Sequence, residues 1–187
     1  MQNKKGFTLV ELLASVVILG ILSAVAIPSI MKVISNNRDK LYRQDAKKMV
    51  TLAEVGIRDG TFKKLGKGNC MLILLRNLKT SELNKAPNGG EYINYTSFVF
   101  IIRDTNDTDA GMPQYHYYVY LVEKYGKRYR GVDFQEIESD ANDIEVKDLA
   151  SDWYRGAQIT KLTTVQIGDL LGFEGCMKDD SYIYKWI

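Results

Sequence analysis

Glu11 is the only charged residue between Phe7 and Ile30, in a run that reads Phe7-Thr8-Leu9-Val10-Glu11-Leu12-Leu13-Ala14 and stays apolar beyond. About 24 residues rising about 1.5 Å each make a helix of about 36 Å, enough to cross a bilayer core. A carboxylate in hydrocarbon is costly unless something neutralises it, so an intramembrane acid is a functional residue that needs a partner. The span carries no cation to serve. Hydrolysis after Gly6 would create one, because the new terminus is the α-amino group of Phe7. On one helix that amine lies about one turn from Glu11. The acid can equally pair with the amine of a neighbouring copy, and a buried pair of this kind specifies geometry better than it adds stability.

Other residues with chemical potential are fewer. His116 is the only histidine, within Gln114-Tyr115-His116-Tyr117-Tyr118-Val119-Tyr120. With no nucleophile or acid at a catalytic spacing beside it, it reads as a structural or surface residue. The acidic stretches Asp104 to Gly111 and Glu138 to Asp143 supply hard oxygens, yet neither follows the EF-hand order, and both read as solvated turns. Neither a phosphate-binding glycine loop nor a Cys/His metal cluster is present in the sequence, so it predicts no enzyme, no metal and no cofactor. Cys70 and Cys176 are the only cysteines. Outside the cytoplasm such a pair is commonly oxidised, and a bridge over so long a loop removes unfolded-chain entropy; two buried thiols are the alternative.

The string Gly6-Phe7-Thr8-Leu9-Val10-Glu11, followed by Leu12-Leu13-Ala14 and by Ala26-Ile27-Pro28, resembles the class III signal and N-terminal helix of bacterial type IV prepilins and pseudopilins. The resemblance covers about the first 35 residues in detail. It implies a prepilin peptidase that cuts between Gly6 and Phe7 and methylates the Phe7 amine. It also implies pairing of Glu11 with the terminal amine of an adjacent subunit, and an inner-membrane assembly platform with its ATPase machinery as partners. The expected product is a self-associating helical filament of type IV pilus kind. A minor pilin or a pseudopilin of a secretion or DNA-uptake system shares the same N-terminal chemistry, and a tethered adhesin that never polymerises is the alternative of another class.

The leader fits this reading. An ordinary secretory signal is cut after its apolar region and loses it, whereas here the Gly6-Phe7 junction precedes the apolar run. Lys4 and Lys5 flank the span and keep their end cytoplasmic, which places the C-terminal part outside. The expected organisation is a leader at 1–6, a transmembrane or filament-core helix at 7–30, its amphipathic continuation at 31–57 and an extracytoplasmic head at 58–187. Removing the leader takes away two of the 25 basic side chains and leaves 23 against 23 acids. That balance gives no electrostatic case for general nucleic-acid binding.

The elements that must position these residues follow from periodicity. Pro28 predicts a kink or a short unwound stretch around 24–28. Beyond it Tyr42, Ala46, Met49, Ala53 and Gly56 recur at spacings of four and three, one narrow stripe that packs on the head. Lys32, Arg38, Lys40, Arg43, Lys47 and Lys48, with Asp39 and Asp45 among them, read as the opposite, solvated face. The helix stops near Arg58-Asp59-Gly60. Met71 to Leu83 reads as a short helix, with a buried strand over Met71 to Leu75 as the alternative. Pro87-Asn88-Gly89-Gly90 is a turn, and Tyr92 to Arg103, Tyr115 to Lys124 and Arg128 to Phe134 are strands of an antiparallel meander. Glu136 to Asp152 reads as an acid-rich excursion, with further strands at Gln158 to Val165 and Tyr182 to Ile187. The fold class is α+β: a long N-terminal helix packed on an antiparallel sheet, as in type IV pilins.

Overall fold

The computed structural model describes residues 7–78, 83, 85–104, 113–137 and 143–149. Its first element is one α-helix, α1 (Leu9–Arg58), followed by β1 (Cys70–Leu74), a 3-10 turn (Leu75–Asn77), β2 (Glu91–Tyr92), β3 (Phe98–Arg103), β4 (Tyr115–Tyr125), β5 (Arg128–Glu136) and β6 (Val146–Leu149). The fold is α+β, with a six-stranded antiparallel sheet. The chain divides into two compact units, one ending at Arg38 and one beginning at Asp39.

In the first unit every described residue from Phe7 to Arg38 is exposed, including Leu12, Val16, Leu19, Leu22 and Ile27. A helix segment that is apolar on every side and exposed along its length is of the kind suited to a membrane or to the company of other helices. It is long and apolar enough to cross a bilayer. Residues 24–28 are helical throughout, so the unwound stretch expected at Pro28 does not form. Proline removes one backbone bond, but no side chain here offers the backbone a competing conformation. Next to it the Ser29 hydroxyl donates to the Val25 carbonyl at 3.3 Å, a bond that stays within the helix.

The second unit is built on the stripe that the sequence spacing predicts. Tyr42, Ala46, Met49, Ala53 and Gly56 are all buried, joined by Val50 and Ile57. Small residues let the helix approach closely: a Cβ added at Gly56 would stand 2.3 Å from the Phe62 ring. The helix ends at Arg58, and Gly60 turns the chain at a φ of 83°.

The sheet runs β1-β3-β4-β5-β6, with β2 pairing β4 beyond the end of β3. Because successive strand residues point to opposite faces, two apolar sets separate. Met71, Ile73, Val99, Ile101, Val119, Leu121 and Val132 join the helix stripe in one core. Cys70, Leu72, Leu74, Phe98, Phe100, Tyr120 and Val122 form a second core on the other face. Both faces of β1 are therefore buried, which corrects the helical reading of Met71 to Leu83. A strand covered on both faces shows a continuous apolar run and no period, and its pairing with β3, Cys70 opposite Ile102 through Leu74 opposite Phe98, selects the extended form. The helical spacing of Leu72, Leu75 and Leu78 has its echo only in the 3-10 turn.

The stretch Tyr92 to Arg103 is not one strand. A turn at 94–96, closed by the Ser97 amide on the Ile93 carbonyl at 2.8 Å, splits it into β2 and β3. The buried Ser97 hydroxyl then accepts the Val122 amide at 3.1 Å, replacing a ladder bond that the turn removes. Strand β6 lies inside the acid-rich segment expected to be an excursion. Its acid and base side chains are cross-strand partners: Arg130 meets Asp148 at 2.9 Å and Lys147 meets Asp133 at 3.0 Å. The strands expected at 158–165 and 182–187 lie outside the described residues.

A register shift between Val119 and Leu121 places a bulge in β5 opposite Tyr120. The extra residue turns Phe134 to the second core, where it stacks on Tyr118 with ring centroids 5.3 Å apart, while Val132 stays in the first. Just before the bulge, Gly131 passes so close to β4 that a Cβ would stand 1.8 Å from the Leu121 carbonyl oxygen. Gly131→Ala should therefore destabilise the head by ~3 kcal/mol or more, since rigid backbone must shift to admit the methyl. Denaturant unfolding of the detergent-solubilised chain checks this, and an unchanged midpoint would refute it.

Candidate functional site at the start of the helix

Helix α1 begins where two polar side chains close on each other. Thr8 stands just before the first helical residue, Leu9, and the first helical bond runs from the Leu12 amide to the Thr8 carbonyl at 3.2 Å. The Thr8 hydroxyl accepts the Glu11 amide at 3.3 Å, and the Glu11 carboxylate accepts the Thr8 amide at 2.9 Å. This reciprocal pattern is a capping box, which satisfies amides that the first turn leaves without partners. The Thr8 hydroxyl also donates to the same carboxylate at 2.9 Å.

Both bonds to the carboxylate fall on Oε2. Among the described residues no other side chain or amide reaches Glu11, so Oε1 faces outward. Phe7 precedes the helix and is 85% exposed. Gly6 lies outside the described residues. The arrangement can hold a carboxylate in a fixed orientation at the start of the helix and offer one oxygen to a donor from elsewhere. Thr8 was missed by sequence reasoning, although Thr8-Leu9-Val10-Glu11 has the spacing of a capping box ahead of an apolar run.

A second acid is held quite differently. Glu123 on β4 is fully buried. It accepts bonds from the Tyr42 hydroxyl, from the Asn88 amide and side chain at 3.2 Å each, and from the Gly90 amide at 2.8 Å. The Pro87-Asn88-Gly89-Gly90 turn thus wraps a carboxylate in donors. No pattern in Val122-Glu123-Lys124 signals this burial. Nearby, Tyr92 donates to Asp45 at 2.6 Å, and its ring meets Tyr42 edge-on at 6.1 Å. Burial first, and then the neighbouring acids, push both tyrosine hydroxyls well above the usual range, so both remain donors.

Two acids assigned to the solvated helix face are in fact turned inward. Asp39 pairs with Arg130 at 2.9 Å, and Asp45 takes the Tyr92 bond; Arg43 donates to the Ile144 carbonyl at 2.8 Å. The periodicity shows which side is apolar but not which flanking polar groups reach partners on the sheet.

His116 lies half-exposed on β4, 2.7 Å from Glu136, whose other oxygen accepts the Tyr118 hydroxyl at 3.1 Å. That is a surface contact. Cys70 is disulfide-bonded; Cys176 lies outside the described residues. So do the acidic segments 105–111 and 138–142, apart from their flanks.

Residues 1–27 match the family model of the prokaryotic N-terminal methylation motif. This is the class III prepilin signal of type IV pilins and pseudopilins. Comparison with curated proteins and with solved structures found no match to the chain.

Burial raises the Asp45 carboxyl above its ordinary value, and the Tyr92 bond and Lys48 only partly offset this. The folded chain therefore keeps a proton that the unfolded chain has already lost. Stability should fall as pH rises from the ordinary carboxylate value through the raised one. Asp45→Asn, whose oxygen can still accept from Tyr92, should flatten that slope and raise stability at neutral pH. Thermal unfolding from pH 3 to 8 tests it; an unaltered slope would count against it.

Proposed function

We propose that this type IV pilin-like or pseudopilin chain is a structural subunit of a type IV pilus or related filament, held in the membrane before assembly and polymerised through α1. One observation carries the proposal. The single acid of an apolar span is held by Thr8 through one oxygen, four residues after Phe7 within the methylation motif, and among the described residues its second oxygen has no partner. A prepilin peptidase would hydrolyse the Gly6–Phe7 bond and methylate the amine so formed. The Phe7 ammonium of a neighbouring copy then reaches Glu11 and neutralises it in an apolar setting.

The exposed apolar surface of the first unit supports this reading. A helix so exposed among the described residues is covered by lipid before assembly and by other helices afterwards, so one apolar environment replaces another. Before assembly the chain is a single-pass membrane protein with its head extracytoplasmic. Assembly would involve an inner-membrane platform and its ATPase, with Pro28 as the point where the helix bends. Copies would associate head to tail in an arrangement that does not close. We further propose that Cys176 is the partner of Cys70, stapling the C-terminal segment to the edge strand β1. The motif points to a structural subunit rather than an enzyme.

N-terminal peptide mass spectrometry of the protein from its native cells should find a chain beginning at Phe7 with one added methyl group. The unreduced digest should join the Cys70 and Cys176 peptides. An intact leader, or a cut beyond the apolar run, would overturn the filament mechanism. Glu11→Ala should leave the head folded yet reduce sheared surface filaments by tenfold or more, measured by immunoblot. Undiminished filaments would show that the acid is not the assembly contact, and a tethered adhesin would account better for display without any filament.

A further inference from the structure

Every described residue of α1 up to Arg38 is exposed, and then four polar contacts to the head, three of them to strands, fall within seven residues. Asp39 takes Arg130, Tyr42 donates to Glu123, Arg43 donates to the Ile144 carbonyl, and Asp45 accepts from Tyr92. After Asp45 the buried positions of the helix are almost wholly apolar: Ala46, Met49, Val50, Ala53 and Ile57. These four contacts lie at the end of the seated helix where the compact unit begins.

We propose that residues 39–45 form a polar stop that confines opening of α1 to the segment before Asp39. This goes beyond the filament reading and holds whatever the copies assemble into. Opening a turn before Asp39 breaks only backbone bonds of an exposed helix. Opening the next turn separates Arg130 from Asp39, withdraws Tyr42 from its fully buried place and takes one donor from a carboxylate that water cannot reach. A buried charged group that loses a partner retains its full desolvation cost, so the resistance rises abruptly instead of gradually.

The geometry makes Glu123 the centre of the stop. Its remaining donors come from the Asn88–Gly90 turn, and Gly90 lies so close that a Cβ there would stand 2.8 Å from the carboxylate. The turn cannot follow the helix outward, because the Ala86 and Gly90 backbones are bonded to each other and β2 is paired to β4 at Glu91 and Tyr92. Helix tension would thus meet a fixed acceptor on the sheet. Local unfolding in proteins is bounded by cooperative units of this kind.

Amide hydrogen exchange of the full chain in detergent micelles tests the proposal. Residues 31–38 should exchange fast, with a step in protection across 39–42 and slow exchange through Ile57. In Tyr42→Phe, exchange at 39–45 should rise about tenfold or more, the effect of losing a bond to a charged group, while 49–57 and β3 to β4 stay unchanged. If Tyr42→Phe also loosens the sheet, Asp39→Asn decides, since it weakens only one partly buried pair and should speed exchange at 39–42 alone. Uniform protection from 31 to 57 in the wild type would overturn the proposal. So would variants that leave 39–45 as slow as before. Because exchange is read on dispersed chains, this outcome is separate from whether filaments form.

Discussion

One continuous helix must satisfy two surroundings, and the rest of the structure follows from that constraint. As far as Arg38 its described residues are all exposed; from Asp39 it seats a narrow stripe on an antiparallel sheet. The seat depends on small side chains. Ala46 and Ala53 let the helix lie close to the sheet, Gly56 makes room for the Phe62 ring, and Tyr42 and Met49 fill the space between. On the sheet side, the alternation of β3 and β4 supplies Val99, Ile101, Val119 and Leu121 to the same core. A layer of helix on sheet is stable only when both surfaces are apolar at matching spacings.

Two glutamates solve the problem of an acid in apolar surroundings in different ways. Glu123 is enclosed by donors from the helix and from one turn, so its charge is used up in holding the head together. Among the described residues Glu11 is held by Thr8 alone, through one oxygen, at the start of an exposed helix. The first arrangement encloses its carboxylate in donors and the second engages one oxygen. That difference separates a structural acid from one suited to meeting a partner; the sequence singles out Glu11 by its apolar run, whereas the role of Glu123, which stands beside Lys124, is visible only in the hydrogen bonds.

Much of the architecture could be read from residue order. The helix stripe, the stop at Gly60, the turn at Gly126, the extent of β4 and the start of β5 all have local causes: a period, a left-handed glycine, an alternation; β5 runs on to Glu136, two residues past its expected end at Phe134. The errors share a different cause. β1 was read as helix because a strand buried on both faces has no period to reveal it. The break between β2 and β3 was invisible because the Ser97 hydroxyl makes good the missing ladder bond. β6 was hidden because its charges looked solvated, whereas Arg130 and Lys147 pair them across strands.

The sequence by itself determined the membrane-length helix, the lone acid within it, the methylation motif and the stripe that seats the helix, because each depends on spacing along a single element. Only the tertiary structure decided that Glu123 is buried, that Asp39 and Asp45 face inward, and that a bulge opposite Tyr120 sends Phe134 to the second core. These are matters of which distant residues come within hydrogen-bonding or van der Waals reach. No local pattern encodes such contacts, because strands paired across a sheet bring together residues whose separation in the chain carries no period.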